Sequence, residues 1–302
     1  MIHTPKIFIT GANGFVGSNL IKTLGEKHIS FVAGSREVYG DITTQKNWEV
    51  LLSGCDVVVH LAARVHVMEE TSLDPLVAFR KMNVEASVNL ARASKLAGVK
   101  RFIYISSIKV NGEETFEKPF LASDPPAPLD PYGISKMEAE NELLALHEKG
   151  VFEVVIIRPP LVYGPGVKAN FEKLFWLVKK DLPLPFGLVK NIRSLVSVFN
   201  LVDLIILCST HEKAGGEIFL VSDGVDYSLK DLIVLMAKVE GKTPHLLPIP
   251  TGLMKFGATL IGKKTYANRL FGNLHVDIKK TQSLLDWNPP HTFLSTFGCQ
   301  QT

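Results

Sequence analysis

Glycines at positions 11, 14 and 17 constrain this chain more than any other feature. The stretch Thr10-Gly11-Ala12-Asn13-Gly14-Phe15-Val16-Gly17 follows an apolar run at residues 6–10 (KIFIT). It opens a segment with apolar residues at Phe15, Val16, Leu20, Ile21 and Leu24. That spacing predicts a helix over 15–26, so the glycines join a strand to a helix. The first glycine permits a tight turn. The second lets a pyrophosphate approach the backbone, and the third lets helix and strand pack closely. Phosphates would then meet the positive end of the helix. Gly11, Asn13, Gly14, Phe15, Val16 and Gly17 are therefore the expected pyrophosphate cradle of a dinucleotide.

The pattern continues. Residues 28–33, 56–60 (DVVVH), 101–106 (RFIYIS) and 152–158 (FEVVIIR) read as strands, with helices expected over 76–97 and 135–149. Near-continuous apolar strands alternating with helices predict a parallel sheet covered on both faces. The fold class is α/β, a Rossmann-type doubly wound sheet. After Arg158 prolines and glycines interrupt the pattern, with strands expected at 194–199 and 218–221 and helices near 202–209 and over 229–239. We expect a dinucleotide-binding domain over 1–165 plus about 194–221, and a smaller C-terminal substrate-binding domain over 166–193 and 222–302.

Composition excludes other classes. Across 302 residues, 33 Lys+Arg face 30 Asp+Glu, and a net charge of +3 is too weak to argue for nucleic acid. Cys55, Cys208 and Cys299 have no CxxC or metal-ligand spacing. They read as free thiols in a reducing compartment, the cytoplasm, and no metal is expected. No apolar run reaches the roughly 18 residues of a membrane span. The best membrane-surface segment is 252–262, where an ordinary buried helix is expected.

Tyr132 and Lys136 lie four residues apart, on one face of a helix that Asp130-Pro131 would start. A phenol near its usual pKa of about 10 is a poor acid/base at neutral pH, and a neighbouring ammonium favours the phenolate. The pair suits proton transfer at a sugar or alcohol oxygen. Ser106-Ser107 ends a strand shortly upstream.

A TGxxGxxG turn, Ser107, Tyr132-x-x-x-Lys136 and this length together resemble the extended short-chain dehydrogenase/reductase superfamily. The resemblance implies Ser107, Tyr132 and Lys136 as catalytic residues. Asn111 in Val110-Asn111-Gly112 stands where relatives carry Tyr. His60-Leu61-Ala62-Ala63 is similar to the family's HLAA beside the cofactor, which implies contacts from Leu61, Ala62 and Ala63. His60 itself reads as a core histidine. Asp41-Ile42 looks like the adenine-contacting pair, and Asn83 like the central-helix Asn. Arg158-Pro159-Pro160-Leu161-Val162-Tyr163-Gly164-Pro165-Gly166 resembles RPxxVYGPG, with Pro159 near the cofactor, and residues 285–289 resemble the terminal LGWxP. Asn170 and Arg193 fall where relatives hold a nucleotide-sugar diphosphate, and Ser107 and Lys109 border the sugar. The phrases HLAARVHVM (60–68), SSIKVNGE (106–113), DPPAPLDPYGISK (124–136), IIRPPLVYGPGVKANF (156–171) and FLVSDG (219–224) look like a UDP-glucose 4-epimerase-like subgroup. That subgroup includes reductases of UDP-2-acetamido-2,6-dideoxy-hexos-4-uloses, used for surface polysaccharides.

An acidic residue ending the second strand would favour NAD; here Ser35 and Arg36 stand there, with no carboxylate until Glu37. An arginine binds a phosphate bidentately, so NADP(H) is favoured, with NAD(H) the alternative. The expectation is NADPH-dependent reduction of a UDP-hexos-4-ulose. Its rivals are a UDP-hexose or UDP-N-acetylhexosamine 4-epimerase holding NAD, and a non-catalytic dinucleotide-sensing regulator, against which the Tyr–Lys pair counts. A 4,6-dehydratase fits least, because Ile108-Lys109 stands where those enzymes carry Asp-Glu. The expected partner is a UDP-sugar, and the family resemblance allows a homodimer.

Overall fold

The computed structural model describes residues 4–65, 74–168, 170–260 and 262–298. Six parallel strands form the main sheet: β1 (Ile7–Thr10), β2 (Phe31–Gly34), β3 (Val57–His60), β4 (Arg101–Ile105), β5 (Glu153–Arg158) and β8 (Ile218–Leu220). Their spatial order is β2-β1-β3-β4-β5-β8. Strand order reverses between β1 and β3, the place where doubly wound sheets open a crevice at their carboxyl ends.

Both faces of this sheet are covered, which is why the middles of its strands are apolar on both sides. Ile7, Ile9, Val57, Val59, Ile103, Val155 and Ile157 meet the helices Phe15–Glu26 and Val198–Thr210. The alternate residues Phe8, Val58, Phe102, Tyr104, Val154 and Ile156 pack with Trp48, Leu52, Leu90 and Leu143 on the other side. Cys55 and Cys208 are buried free thiols, and Cys299 lies outside the described residues.

A second sheet of β6 (Leu161–Tyr163), β7 (Arg193–Ser197) and β9 (Asp226–Tyr227) stands beyond β5, in the order β6-β7-β9. The strand expected at 194–199 is β7 and joins this small sheet, while the helix after it, Val198–Thr210, packs back on the large one. Tyr163, Phe171, Ile233, Met236, Phe271 and Phe293 fill the core beneath it.

Four expected elements differ. The second strand starts at Phe31 rather than 28, because His28 adopts φ 55° and Ile29 N bonds Leu24 O, closing the preceding helix. The long helix expected over 76–97 is split into Pro75–Arg80, a π-helical turn Lys81–Glu85, and Ala86–Leu96. The helix expected over 135–149 runs Pro131–Ala145, because Asp130 caps it: its Oδ1 accepts from Gly133 N at 2.7 Å. The buried helix expected over 252–262 is overturned. Thr251–Leu260 is a helix with no buried residue, and Leu253, Phe256 and Leu260 are 61%, 63% and 72% exposed. No described helix is long and apolar enough to cross a membrane.

Candidate active site

The carboxyl ends of the large sheet gather most of the residues singled out above. Gly11 (φ +70°) makes the turn after β1, and a Cβ there would lie 2.9 Å from Ala62 N. Gly17 has a stricter reason to be glycine, since a Cβ would sit 2.2 Å from Gly11 O. Gly14 caps the helix without any side-chain hydrogen bond. The first-turn amides of Phe15 and Val16 therefore keep their donors for a ligand. This cradle, closed to any larger side chain, fits a dinucleotide pyrophosphate.

Around it lie Ser35 and Arg36 at the end of β2, Asp41-Ile42 in the next loop, and Leu61, Ala62 and Ala63 after β3. Pro159 follows β5 and accepts from Ile108 N at 3.0 Å. Arg36 is exposed, but Ser35 Oγ donates to Glu37 Oε2 at 3.5 Å, so a carboxylate does reach the end of β2. Asp41 Oδ1 accepts from Thr43 N and Oγ1 at 2.9 and 2.8 Å, which holds its carboxyl below the usual range, whereas Ile42 is buried in the core.

His60 is a core histidine. Thr10 Oγ1 accepts from Leu61 N and Ala62 N, both at 3.2 Å, so its own proton goes to His60 Nδ1 at 2.6 Å. His60 Nε2 must then carry the ring proton, donated to Ser87 Oγ at 2.8 Å. Burial, with the Lys136 charge, pushes the His60 pKa down to about 3.

Ser107, Tyr132 and Lys136 come together from β4 and the Pro131–Ala145 helix. The Ser107 side chain stands beside that of Tyr132, where its hydroxyl favours the charged phenolate. Lys136, 2% exposed, donates from Nζ to Ile105 O at 2.8 Å and lies 4.3 Å from the Tyr104 ring centroid. The expected lowering of the Tyr132 pKa by Lys136 is not met. Nζ stands 6.0 Å from the Tyr132 ring centroid, and burial drives both groups toward neutrality. The phenol is pushed up to about 12 against the Ser107 hydrogen bond, and the ammonium down to about 7 against the Glu140 charge.

Asn83 sits in the π-helical turn, fully buried. It accepts from Arg64 N at 2.8 Å and donates to Ser135 Oγ at 3.0 Å, while Ser135 donates to Tyr132 O at 2.8 Å. It thereby pins the loop after β3 to the Tyr132 helix. Lys109 pairs with Asp130 and with Glu113, the latter at 3.1 Å, tying the turn after Ser107 to the helix cap. Arg193 donates from Nη1 to Arg269 O at 2.7 Å and Gly272 O at 3.2 Å. Asn170 opens the helix Asn170–Lys179, and its side chain lies outside the described residues, as do residues 66–68 of the HLAARVHVM phrase.

Sequence reading missed one cluster. Glu140, a helical turn past Lys136, takes Arg158 through Nε at 2.9 Å and Nη2 at 2.5 Å, both side chains being 2% exposed. Arg158 Nη1 also donates to Asn111 Oδ1 at 2.9 Å, and Asn111 Nδ2 donates to Leu121 O at 2.9 Å. The residue standing in place of the usual Tyr thus anchors a buried guanidinium. The i, i+4 spacing of Lys136 and Glu140 was the available signal; the pairing with Arg158 needs the register of helix on sheet.

With this geometry in place, likeness to known proteins becomes decisive. The NAD dependent epimerase/dehydratase family matches residues 7–222. This chain belongs to that family. It is 47% identical over 307 residues to a UDP-glucose 4-epimerase of Vibrio cholerae, covering 97% of this chain and 94% of that protein. It is 28% identical over 262 residues to an N-acetyl-alpha-D-glucosaminyl-diphospho-ditrans,octacis-undecaprenol 4-epimerase of Escherichia coli O157:H7, covering 82% and 77%. A UDP-glucuronic acid 4-epimerase from Bacillus cereus, solved with NAD, superposes with a TM-score of 0.75 at 22% identity, covering 98% and 94%. That likeness speaks to the fold. The protein is an NAD(P)-dependent nucleotide-sugar enzyme of the extended short-chain dehydrogenase/reductase type.

Proposed function

We propose that this chain is a UDP-sugar 4-epimerase, inverting C4 of a UDP-hexose or UDP-N-acetylhexosamine with tightly held NAD. The observation that carries this reading is the near full-length likeness, at 47% identity, to the Vibrio cholerae UDP-glucose 4-epimerase. The Glu37 carboxylate beside Ser35 supports NAD, since it would accept from a ribose hydroxyl and repel a 2′-phosphate.

Gly11, Gly14 and Gly17 would cradle the pyrophosphate, with Leu61, Ala62, Ala63, Asp41 and Pro159 around the rest and Lys136 on the nicotinamide ribose. When bound, the dinucleotide supplies the hydride acceptor and donor. Tyr132 Oη, as the phenolate, would take the proton of the sugar 4-hydroxyl and later return it to O4 once C4 is inverted. Ser107 donates a hydrogen bond to O4 where negative charge develops. Asn170 and Arg193 would grip the UDP diphosphate, and Lys109 would border the sugar.

A second reading draws on Arg36, exposed at the end of β2. It is net NADPH-dependent reduction of a UDP-2-acetamido-2,6-dideoxy-hexos-4-ulose, with the same Ser107 and Tyr132 serving the forming alkoxide. The test is to identify the dinucleotide that co-purifies, then supply UDP-glucose or UDP-GlcNAc without added cofactor. Interconversion with the C4 epimer and bound NAD is the expected result. If these sugars are inert while the 4-keto sugar takes up one deuterium from C4-deuterated NADPH, releasing NADP⁺ in equal amount, the reductase reading replaces it.

A further inference from the structure

Helix Thr251–Leu260 has two unlike faces. Met254 and Ala258, one turn apart, pack on the core of the small sheet. Leu253, Phe256 and Leu260 fall at i, i+3 and i+7, a single stripe pointing away from that core. The helix Lys264–Phe271 packs against this one and adds Tyr266 and Leu270, 52% and 39% exposed.

The charge of this region departs from that of the chain as a whole. Residues 241–276 hold Lys242, Lys255, Lys263, Lys264 and Arg269 and no Asp or Glu. Lys263 Nζ lies 5.8 Å from the Tyr266 ring centroid, so cation and apolar surface adjoin. Arg269 reaches Glu113 at 3.7 Å and gives its carbonyl to Arg193, which ties the region to β7 and to the turn after Ser107.

Exposed apolar side chains beside Lys255 and Lys263, on a segment that carries no carboxylate of its own, match the headgroup level of an anionic bilayer. A second copy of this chain fits poorly, because a two-fold contact sets the patch against itself and lysines against lysines. We propose that this face docks on an anionic lipid surface, with Leu253, Phe256 and Leu260 entering the headgroup region and Lys255 and Lys263 held near lipid phosphates. The proposal does not depend on which reaction the cleft performs.

The test uses the whole chain and vesicles of phosphatidylglycerol mixed with phosphatidylcholine, against phosphatidylcholine alone. Co-sedimentation with the anionic vesicles is expected, weakened by salt and by about fivefold for each of Lys255→Gln and Lys263→Gln. The combined Leu253→Gln, Phe256→Gln, Leu260→Gln variant should bind on the order of tenfold more weakly or worse, while keeping its melting temperature and its turnover in solution. Phe256→Trp, which retains the apolar surface, should shift its emission to the blue when anionic vesicles are added. Wild type that stays in the supernatant, variants that sediment like wild type, or a tryptophan that does not respond would each overturn the proposal. So would a wild-type dimer that the triple glutamine variant dissociates without any change in lipid binding.

Discussion

Tyr132 and Lys136 are both driven toward their neutral forms by burial, with pKa values of about 12 and about 7. The phenol is thus a weak acid held protonated at neutral pH, and it must lose its own proton before it can take one from a sugar hydroxyl. Tyr132→Phe should leave dinucleotide binding intact and lower kcat by about 10²–10⁴; parallel rate and binding measurements decide, and near-normal kcat would remove Tyr132 from the chemistry. His60 gives a stability prediction with a definite sign. Its folded pKa of about 3 lies below the ordinary 6.5, so the unfolded chain takes up the proton first. Stability contributed at neutral pH should fall as pH drops through 6.5 toward 3, by up to about 1.4 kcal/mol per pH unit. Lys136 acts on the alkaline side: with a folded pKa of about 7 against 10.5, stability should rise as pH climbs between those values. Denaturant midpoints across pH check both, and His60→Gln should reduce the acid-side slope by about one proton.

At the scale of elements, the Pro131–Ala145 helix organises the site. Asp130 caps it, Tyr132 and Lys136 occupy its first turns, Ser135 faces Asn83, and Glu140 meets Arg158 in the interior. Removing one member of a buried ion pair leaves the other charge stranded. Glu140→Gln should therefore cost about 3–5 kcal/mol of stability in a denaturant titration. It should also move the Lys136-dependent limb of the pH–rate profile to lower pH, because the Glu140 charge raises that pKa. An unmoved limb would confine Glu140 to a structural role. The π-helical turn at Lys81–Glu85 is the other element with a purpose, since it carries Asn83 into contacts that join the loop after β3 to the Pro131–Ala145 helix.

At the scale of the molecule, the two sheets are joined by buried polar groups as well as apolar packing. Tyr163 at the end of β6 donates to Asp223 Oδ2 at 2.7 Å, and Asp223 Oδ1 accepts from Ser197 N at 2.8 Å and Asn200 Nδ2 at 2.6 Å. Asn200 in turn accepts from His291 N at 2.8 Å, drawing in the C-terminal segment. The Tyr163 ring lies 5.0 Å from Phe293 and 5.5 Å from Phe171, centroid to centroid. Tyr163→Phe keeps the ring packing but leaves a buried carboxylate short of a donor, which should cost about 1–3 kcal/mol. A thermal or denaturant melt reads this directly, and an unchanged melt would place the joint's strength in the apolar contacts alone.

Local patterns in the chain were enough for the glycine turn, the parallel strands and the Tyr132–Lys136 spacing. Each depends on neighbours within a few residues: a Cβ at Gly17 collides with Gly11 O, and a helix sets i beside i+4. The helix Phe15–Glu26 was legible to the residue for the same reason. Contacts across long separations were not legible. Glu140 meets Arg158, Asn111 braces Arg158 from another loop, and β7 pairs with β6 and β9 rather than joining the large sheet. The exposure of Leu253, Phe256 and Leu260 belongs here too, because an apolar helix looks the same in sequence whether its second face is covered or bare. Tertiary packing alone decided which charges lost water, and thus why Tyr132 is held near 12 despite a lysine four residues away.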